Sequence, residues 1–167
     1  AVEGDLQQLA DDGFSPTSLR NATVYGWSPR VRLDLVLNDL VASAYLTGKV
    51  LVLSDGTPWR PIVHVDDVAT AFLLALEAPR DVVHNRAFNV GSEKENYQVR
   101  DIAHLVAEAV PGSTVEIAGQ GGPDTRSYRV SFDRIHEELG FEPRWDARRG
   151  AEDLYTKLQD YGLTDEQ

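Results

Sequence analysis

Cysteine is absent from this 167-residue chain, and so is methionine. The first absence excludes disulfides and thiolate metal sites, and it is neutral about compartment, since a cytoplasmic protein needs neither. The second, with a start at Ala1, makes the chain read as a fragment or a processed product. No apolar run approaches the roughly 20 residues of a membrane-spanning helix. The acidic N-terminal stretch also lacks the basic start and apolar middle of a secretory signal. A cytoplasmic location with no membrane partner is therefore expected. Positive charge is scarce as well: 16 Lys and Arg face 27 Asp and Glu, a formal net charge of -11. A nucleic-acid binder relies on a clustered basic footprint, so nucleic acid is not an expected partner. A single anionic ligand needs only a few placed arginines, and Arg30 with Arg32, Arg126 with Arg129, and Arg148 with Arg149 form local clusters whose plainer reading is solvated surface. His64, His84, His104 and His136 show no spacing such as His-Glu-x-x-His, so no metal site is expected.

What is present is an alternation of helical and strand patterns. Val2, Leu6 and Leu9 recur at helical spacing before Gly13, as in the tail of a longer helix. Residues 18–24 read as a strand, 33–46 as a helix closed by Gly48, and 50–53 as a buried strand before the turn Ser54-Asp55-Gly56. Residues 65–76 are apolar apart from Asp66, Asp67 and Thr70, which predicts a buried helix with its aspartates in the first turn as caps. His64 is expected to fix the turn into it. Residues 87–90 and 114–118 suit strands, and 99–110 suits a helix stopped by Pro111-Gly112. Gly119–Pro123 reads as a loop, Ser131 as the N-cap of a short helix, and Leu154, Leu158 and Tyr161 as the apolar face of a last helix. The pattern is that of one α/β domain over residues 1–167, long enough to bury roughly 68–70% of its unfolded surface.

Four strings in order resemble one family. Leu19–Gly26 (LRNATVYG) is similar to the LR-x-x-N-VYG-P motif of extended short-chain dehydrogenases/reductases. Asp55–Ala69 (DGTPWRPIVHVDDVA) is similar to their DG-x-x-x-R-x-x-x-HV-x-D-x-A string, and Phe88–Gly91 (FNVG) and Leu139–Pro143 (LGFEP) resemble later landmarks. Each string is weak alone; the order and spacing give the set its specificity. The chain thus resembles the C-terminal, substrate-binding half of a nucleotide-sugar epimerase or dehydratase. The resemblance implies the C-terminal portion of an extended Rossmann-type fold, with short strands and packed helices, the N-terminal Rossmann part being absent. It further implies NAD or NADP as cofactor of the complete enzyme, a nucleotide-diphosphate sugar as partner, and room for a homodimer.

In such enzymes a Tyr-x-x-x-Lys pair on one helix is the acid/base. The chain holds Tyr45-Leu46-Thr47-Gly48-Lys49, but Gly48 breaks the helix and the string follows LRNATVYG instead of preceding it, so no catalytic residue is assigned. No glycine fingerprint opens a helix, because Gly119-Gln120-Gly121-Gly122 runs into Pro123, so the chain alone is expected to bind no cofactor and to be inactive. The resemblance places Arg60 and Arg126 on the diphosphate, with Asn38 and Thr23 beside the substrate and Tyr25 and Gly26 between nicotinamide and sugar. For three of them a plainer role stands alongside: an ion pair for Arg60, a solvent-facing side chain for Asn38, core for Tyr25. Thr23 stands where many relatives carry asparagine, and Pro123-Asp124-Thr125-Arg126-Ser127-Tyr128 replaces their arginine-glycine-aspartate string. Two other functions stay open. One is a non-catalytic sensor or assembly module; the other is a reductase of a non-sugar ketone, which would need no pair of converging arginines.

Overall fold

Residues 18–24, which read as one strand, fold as two: β1 (Thr17–Asn21) and β2 (Thr23–Tyr25) flank Ala22 and pair with different neighbours. A computed structural model describes residues 2–119 and 126–164. α1 (Val2–Leu9) precedes β1, and β2 is followed by α2 (Val36–Thr47), β3 (Lys49–Val52), β4 (Trp59–His64), α3 (Val65–Glu77) and the single turn α4 (Arg80–Val83). Then come β5 (Arg86–Val90), β6 (Asn96–Gln98), α5 (Val99–Ala109), β7 (Thr114–Ile117), α6 (Asp133–Leu139) and α7 (Ala147–Tyr161). β1 pairs with β5, β2 with β4 and β3 with β7, all parallel, while β6 adds antiparallel to β4. Parallel pairs require crossovers, and helices supply them, which is the α/β architecture expected.

Two apolar cores result. One joins α2, α5 and α7 over β3, through Leu37, Val41, Val50, Ile102 and Leu154, each fully buried. The other packs α3 and α6 on β5, through Ala71, Phe88, Val90, Ile135 and Phe141. α2 ends at Gly48, whose φ of 71° lies in the left-handed region, and the chain reverses there into β3.

Three local expectations are corrected. α3 is not a buried helix: Phe72, Leu73 and Leu76 are 49%, 58% and 80% exposed. Its apolar residues surround the helix, so composition could not tell which face is covered. Its aspartates are not its caps either. The N-cap is His64, whose Nδ1 accepts the Asp66 N–H at 3.2 Å, and the buried Asp67 carboxylate accepts from the Arg144 and Trp145 N–H groups instead, at 2.9 and 3.0 Å. At α6 the N-cap position falls on Phe132, one residue after Ser131, although the Ser131 hydroxyl does accept the Asp133 N–H at 3.3 Å. Of the loop read over Gly119–Pro123, residues 120–123 lie outside the described residues.

Candidate functional site

A cavity of about 450 Å³ opens between α2, β3, the start of α5 and the segment around residues 126–128. β4 delivers Arg60 to it. The side chain is 8% exposed, and its Nη1 donates to the Trp59 carbonyl at 2.8 Å and to the Arg126 carbonyl. The same segment is fastened to β4 by the Trp59 N–H, which donates to Ser127 Oγ at 3.1 Å, and by Arg129 stacked 4.7 Å over the Trp59 ring. Tyr128 places its ring 5.9 Å from the Arg60 guanidinium. Arg60 and Arg126, 66 positions apart, are thereby brought to one cavity, which Thr23 also lines. Neither arginine owes its place to local sequence; both depend on the docking of the 126–129 segment onto β4.

Asn38 is not in the cavity lining and does not face solvent. It is 2% exposed; its Oδ1 accepts the Gly26 N–H at 3.0 Å and its Nδ2 donates to the Arg32 carbonyl at 2.9 Å, so it clasps both ends of the loop between β2 and α2. Asp39, the next residue, faces the cavity instead. Removal from water and the nearby Asp34 raise its carboxyl. Asp39 is an exposed residue of α2. Arg32 and Asp34, paired at 2.6 Å, line the same opening. The helix pattern contained this signal: Leu37, Leu40, Val41 and Ala44 mark the core face, and Asp39 falls off it.

Tyr25 lies in the first core. It is 2% exposed and packs in the first core with its ring against Gly150, where an added Cβ would lie 2.2 Å from Tyr25 Cε2. Burial pushes its phenol up, and its hydroxyl is without a hydrogen-bond partner among the described residues. The His64 ring meets Tyr25 edge-on at 5.3 Å and stacks on Trp145 at 3.9 Å, and Arg149 covers the other side of Trp145 at 4.0 Å. Gly26 adopts a φ of 106°, and a Cβ there would stand 2.4 Å from His64 Nε2, so both backbone and space demand glycine. Burial lowers the His64 pKa, which keeps the ring neutral and able to accept at Nδ1. Beneath this stack, Glu95 is 7% exposed, accepts from the Tyr97 hydroxyl at 3.1 Å and the Ala147 N–H at 3.0 Å, and is raised to about 7 by burial.

Tyr45 and Lys49 do not share a helix. Gly48 ends α2 between them; Tyr45 packs 6.1 Å from Tyr155, and Lys49 on β3 pairs with Glu116 at 2.9 Å. From α2 onward no described α-helix opens on a glycine-rich turn. Among the described residues no group of three or more His, Cys, Asp or Glu could hold a metal ion, and no helix is long and apolar enough to cross a membrane.

Comparison with known proteins adds the family. Residues 2–91 match the NAD dependent epimerase/dehydratase family. A UDP-glucose 4-epimerase of Corynebacterium glutamicum is 34% identical over 104 residues, 60% of this chain and 31% of that protein. The "Probable GDP-L-fucose synthase 1" of Oryza sativa subsp. japonica is 27% identical over 114 residues, 68% of this chain and 34% of that protein. The crystal structure of UDP-glucose 4-epimerase from Thermotoga maritima with UDP-glucose superposes with a TM-score of 0.77 at 25% identity, covering 96% of this chain and 52% of that one. The chain thus spans about a third of the curated relatives and half of the solved one.

Proposed function

Because the chain belongs to the NAD-dependent epimerase/dehydratase family, we propose that it is the substrate-binding portion of a nucleotide-sugar epimerase or dehydratase and that its cavity holds the diphosphate of the sugar nucleotide. The observation behind this reading is the convergence of Arg60 and Arg126 on one cavity in a chain of net charge -11. An acidic protein has reason to gather positive charge where a dianion binds, because the local field and not the net charge governs the encounter. The buried Arg60 is well suited: its guanidinium is held in place by the carbonyls of Trp59 and Arg126, so little rotamer freedom is lost on binding. Thr23 adds a hydroxyl to the same wall. A cavity built for an apolar ketone would not need these cations.

The nicotinamide cofactor supplies hydride transfer in this family, and the chain spans about a third of its curated relatives. This chain's own contribution is to bind and orient the sugar nucleotide. Titration of the full-length protein with a nucleoside diphosphate and with the bare nucleoside tests the reading. Arg60→Ala and Arg126→Ala should each weaken diphosphate binding by about 1.5–3 kcal/mol, the range of a charge-assisted hydrogen bond, and leave nucleoside binding nearly unchanged. Equal losses for both ligands, or no loss for either, would assign both arginines a structural role and remove the proposal's support.

A further inference from the structure

The loop between β2 and α2 carries Arg32, Asp34 and Leu35 into the lining of the cavity. Its beginning is held by contact: Gly26 lies against His64, and the Trp27 ring packs 5.6 Å from that of Tyr161, the last residue of α7. Farther along, Val31 and Leu33 pack against the first core, and the Arg32 side chain between them is 64% exposed. Among the described residues, one hydrogen bond ties residues 27–34 to the rest of the fold: the Asn38 Nδ2 donates to the Arg32 carbonyl at 2.9 Å. The same amide accepts the Gly26 N–H at its Oδ1, at 3.0 Å, and Asn38 itself is buried among Leu37, Leu40 and Val41 of α2. One backbone donor and one backbone acceptor meet here. Only a side chain that accepts and donates at once serves both, which an ionised carboxylate cannot do. The backbone of Arg32 is thus fixed from the core, while its guanidinium is paired at 2.6 Å with Asp34, itself 65% exposed. An exposed ion pair of this kind is worth little in water.

Resting on the diphosphate reading above, we propose that Arg32 is a third anion-binding side chain of the cavity and that Asn38 is the positioning residue that holds it there. A guanidinium leaves a solvated carboxylate at small cost, and a diphosphate offers it more charge and more acceptor oxygens. In a cavity of about 450 Å³, a long arginine on the wall has the reach to meet a ligand that fills the space. Asn38 acts at a distance. It is not among the lining residues, and it meets the cavity wall through the Arg32 carbonyl. The clasp also keeps the Arg32 arm short of one source of disorder, since its backbone need not be ordered again when a ligand binds.

Calorimetric titration of the full-length protein with UDP and with GDP tests this, the tighter of the two being followed through the variants. Arg32→Ala changes an exposed side chain; it should leave the urea midpoint in place and weaken binding roughly 5–20-fold, the lower part of the range for a charged hydrogen bond because Asp34 is released at the same time. Asn38→Asp keeps the acceptor for the Gly26 N–H. At about pH 8 its carboxylate opposes the Arg32 carbonyl and should weaken binding as much as Arg32→Ala does. At about pH 5 the buried carboxyl is protonated and donates to that carbonyl, so affinity should return to within about twofold of the natural protein at the same pH. In an Arg32→Ala background, Asn38→Asp should cause no further loss at either pH. Binding by Arg32→Ala as tight as that of the natural protein overturns the inference, and it decides the anion-binding role even if Asn38→Asp does not fold. An Asn38→Asp loss that adds in full to that of Arg32→Ala would put the amide on the ligand and overturns the positioning role, as does a loss that persists at the lower pH. In each of these cases the diphosphate reading stands provided Arg60→Ala still weakens binding. If Arg60→Ala is without effect, or neither nucleotide binds, that reading falls and this inference with it.

Discussion

Glu95 lies between the Tyr97 hydroxyl and the Ala147 N–H, and its removal from water outweighs both hydrogen bonds, so the carboxyl titrates near 7. Asp146 and Asp67 push the same way. Its ordinary value is 4.5; between that and about 7 the folded chain holds a proton that the unfolded chain has released. Stability from this group is complete below the ordinary value and is lost as pH rises through the folded one. Glu95→Gln does not titrate. Relative to the natural chain, that variant should gain on the order of 2–3 kcal/mol as pH rises across this window, read from urea denaturation at a series of pH values. Parallel curves would show that Glu95 is ordinary. At this scale the sequence was partly legible. Arg60 could be singled out because its DG string is local, whereas Arg126 stands in a segment that departs from the family string, and its place beside Arg60 comes from the docking of that segment onto β4. Asn38 and Asp39 could not be told apart by motif: roughly 100° of helix rotation separates neighbours, and only the core face decides which one is clasped inside and which faces the cavity.

Gly150 shows how an element is chosen by its partner. Helix propensity alone favours alanine over glycine inside α7 by about 1 kcal/mol. Against that, a Cβ at Gly150 would press into the buried Tyr25 ring at 2.2 Å, and neither α7 nor β2 can retreat without opening the first core. Overpacking of this kind costs about 1–3 kcal/mol. Gly150→Ala should therefore lower the urea midpoint despite its better propensity; an unchanged or raised midpoint would mean that Tyr25 shifts freely. The close approach of α7 to β2 cannot be read from either segment alone. The same holds for β6, whose three residues are too few to show alternation and which exists because it pairs with β4. The longer helices were legible in their 3.6-residue period and their glycine stops, as at Gly48. The division of residues 18–24 into β1 and β2 was not, because the break at Ala22 reflects two different partners, β5 and β4.

Over the whole molecule, one apolar core joins α2, α5 and α7 over β3, the other packs α3 and α6 on β5, and the cavity opens beside α2 and β3. The family is NAD dependent, but the chain spans about a third of its curated relatives. A dinucleotide brings a pyrophosphate that needs unpaired backbone N–H groups, ordinarily at a glycine-opened helix N-terminus. From α2 onward the described helices begin after residues such as Leu35, His64, Gln98 and Asp146, and the Gly26 N–H is already donated to Asn38. A net charge of -11 adds a general repulsion toward a second polyanion. The 167-residue chain on its own should therefore bind NADH no more tightly than millimolar, a value of about -4 kcal/mol that few contacts suffice to give. The chain joined to a part that supplies a glycine-opened dinucleotide cradle should bind it at least a hundredfold more tightly. Calorimetry with NADH and NADPH on both lengths distinguishes the cases. Micromolar binding by the short chain would place a dinucleotide site within these residues and would require the cavity beside Arg60 and Arg126, the basic opening available to a pyrophosphate, to be reassigned from substrate to cofactor.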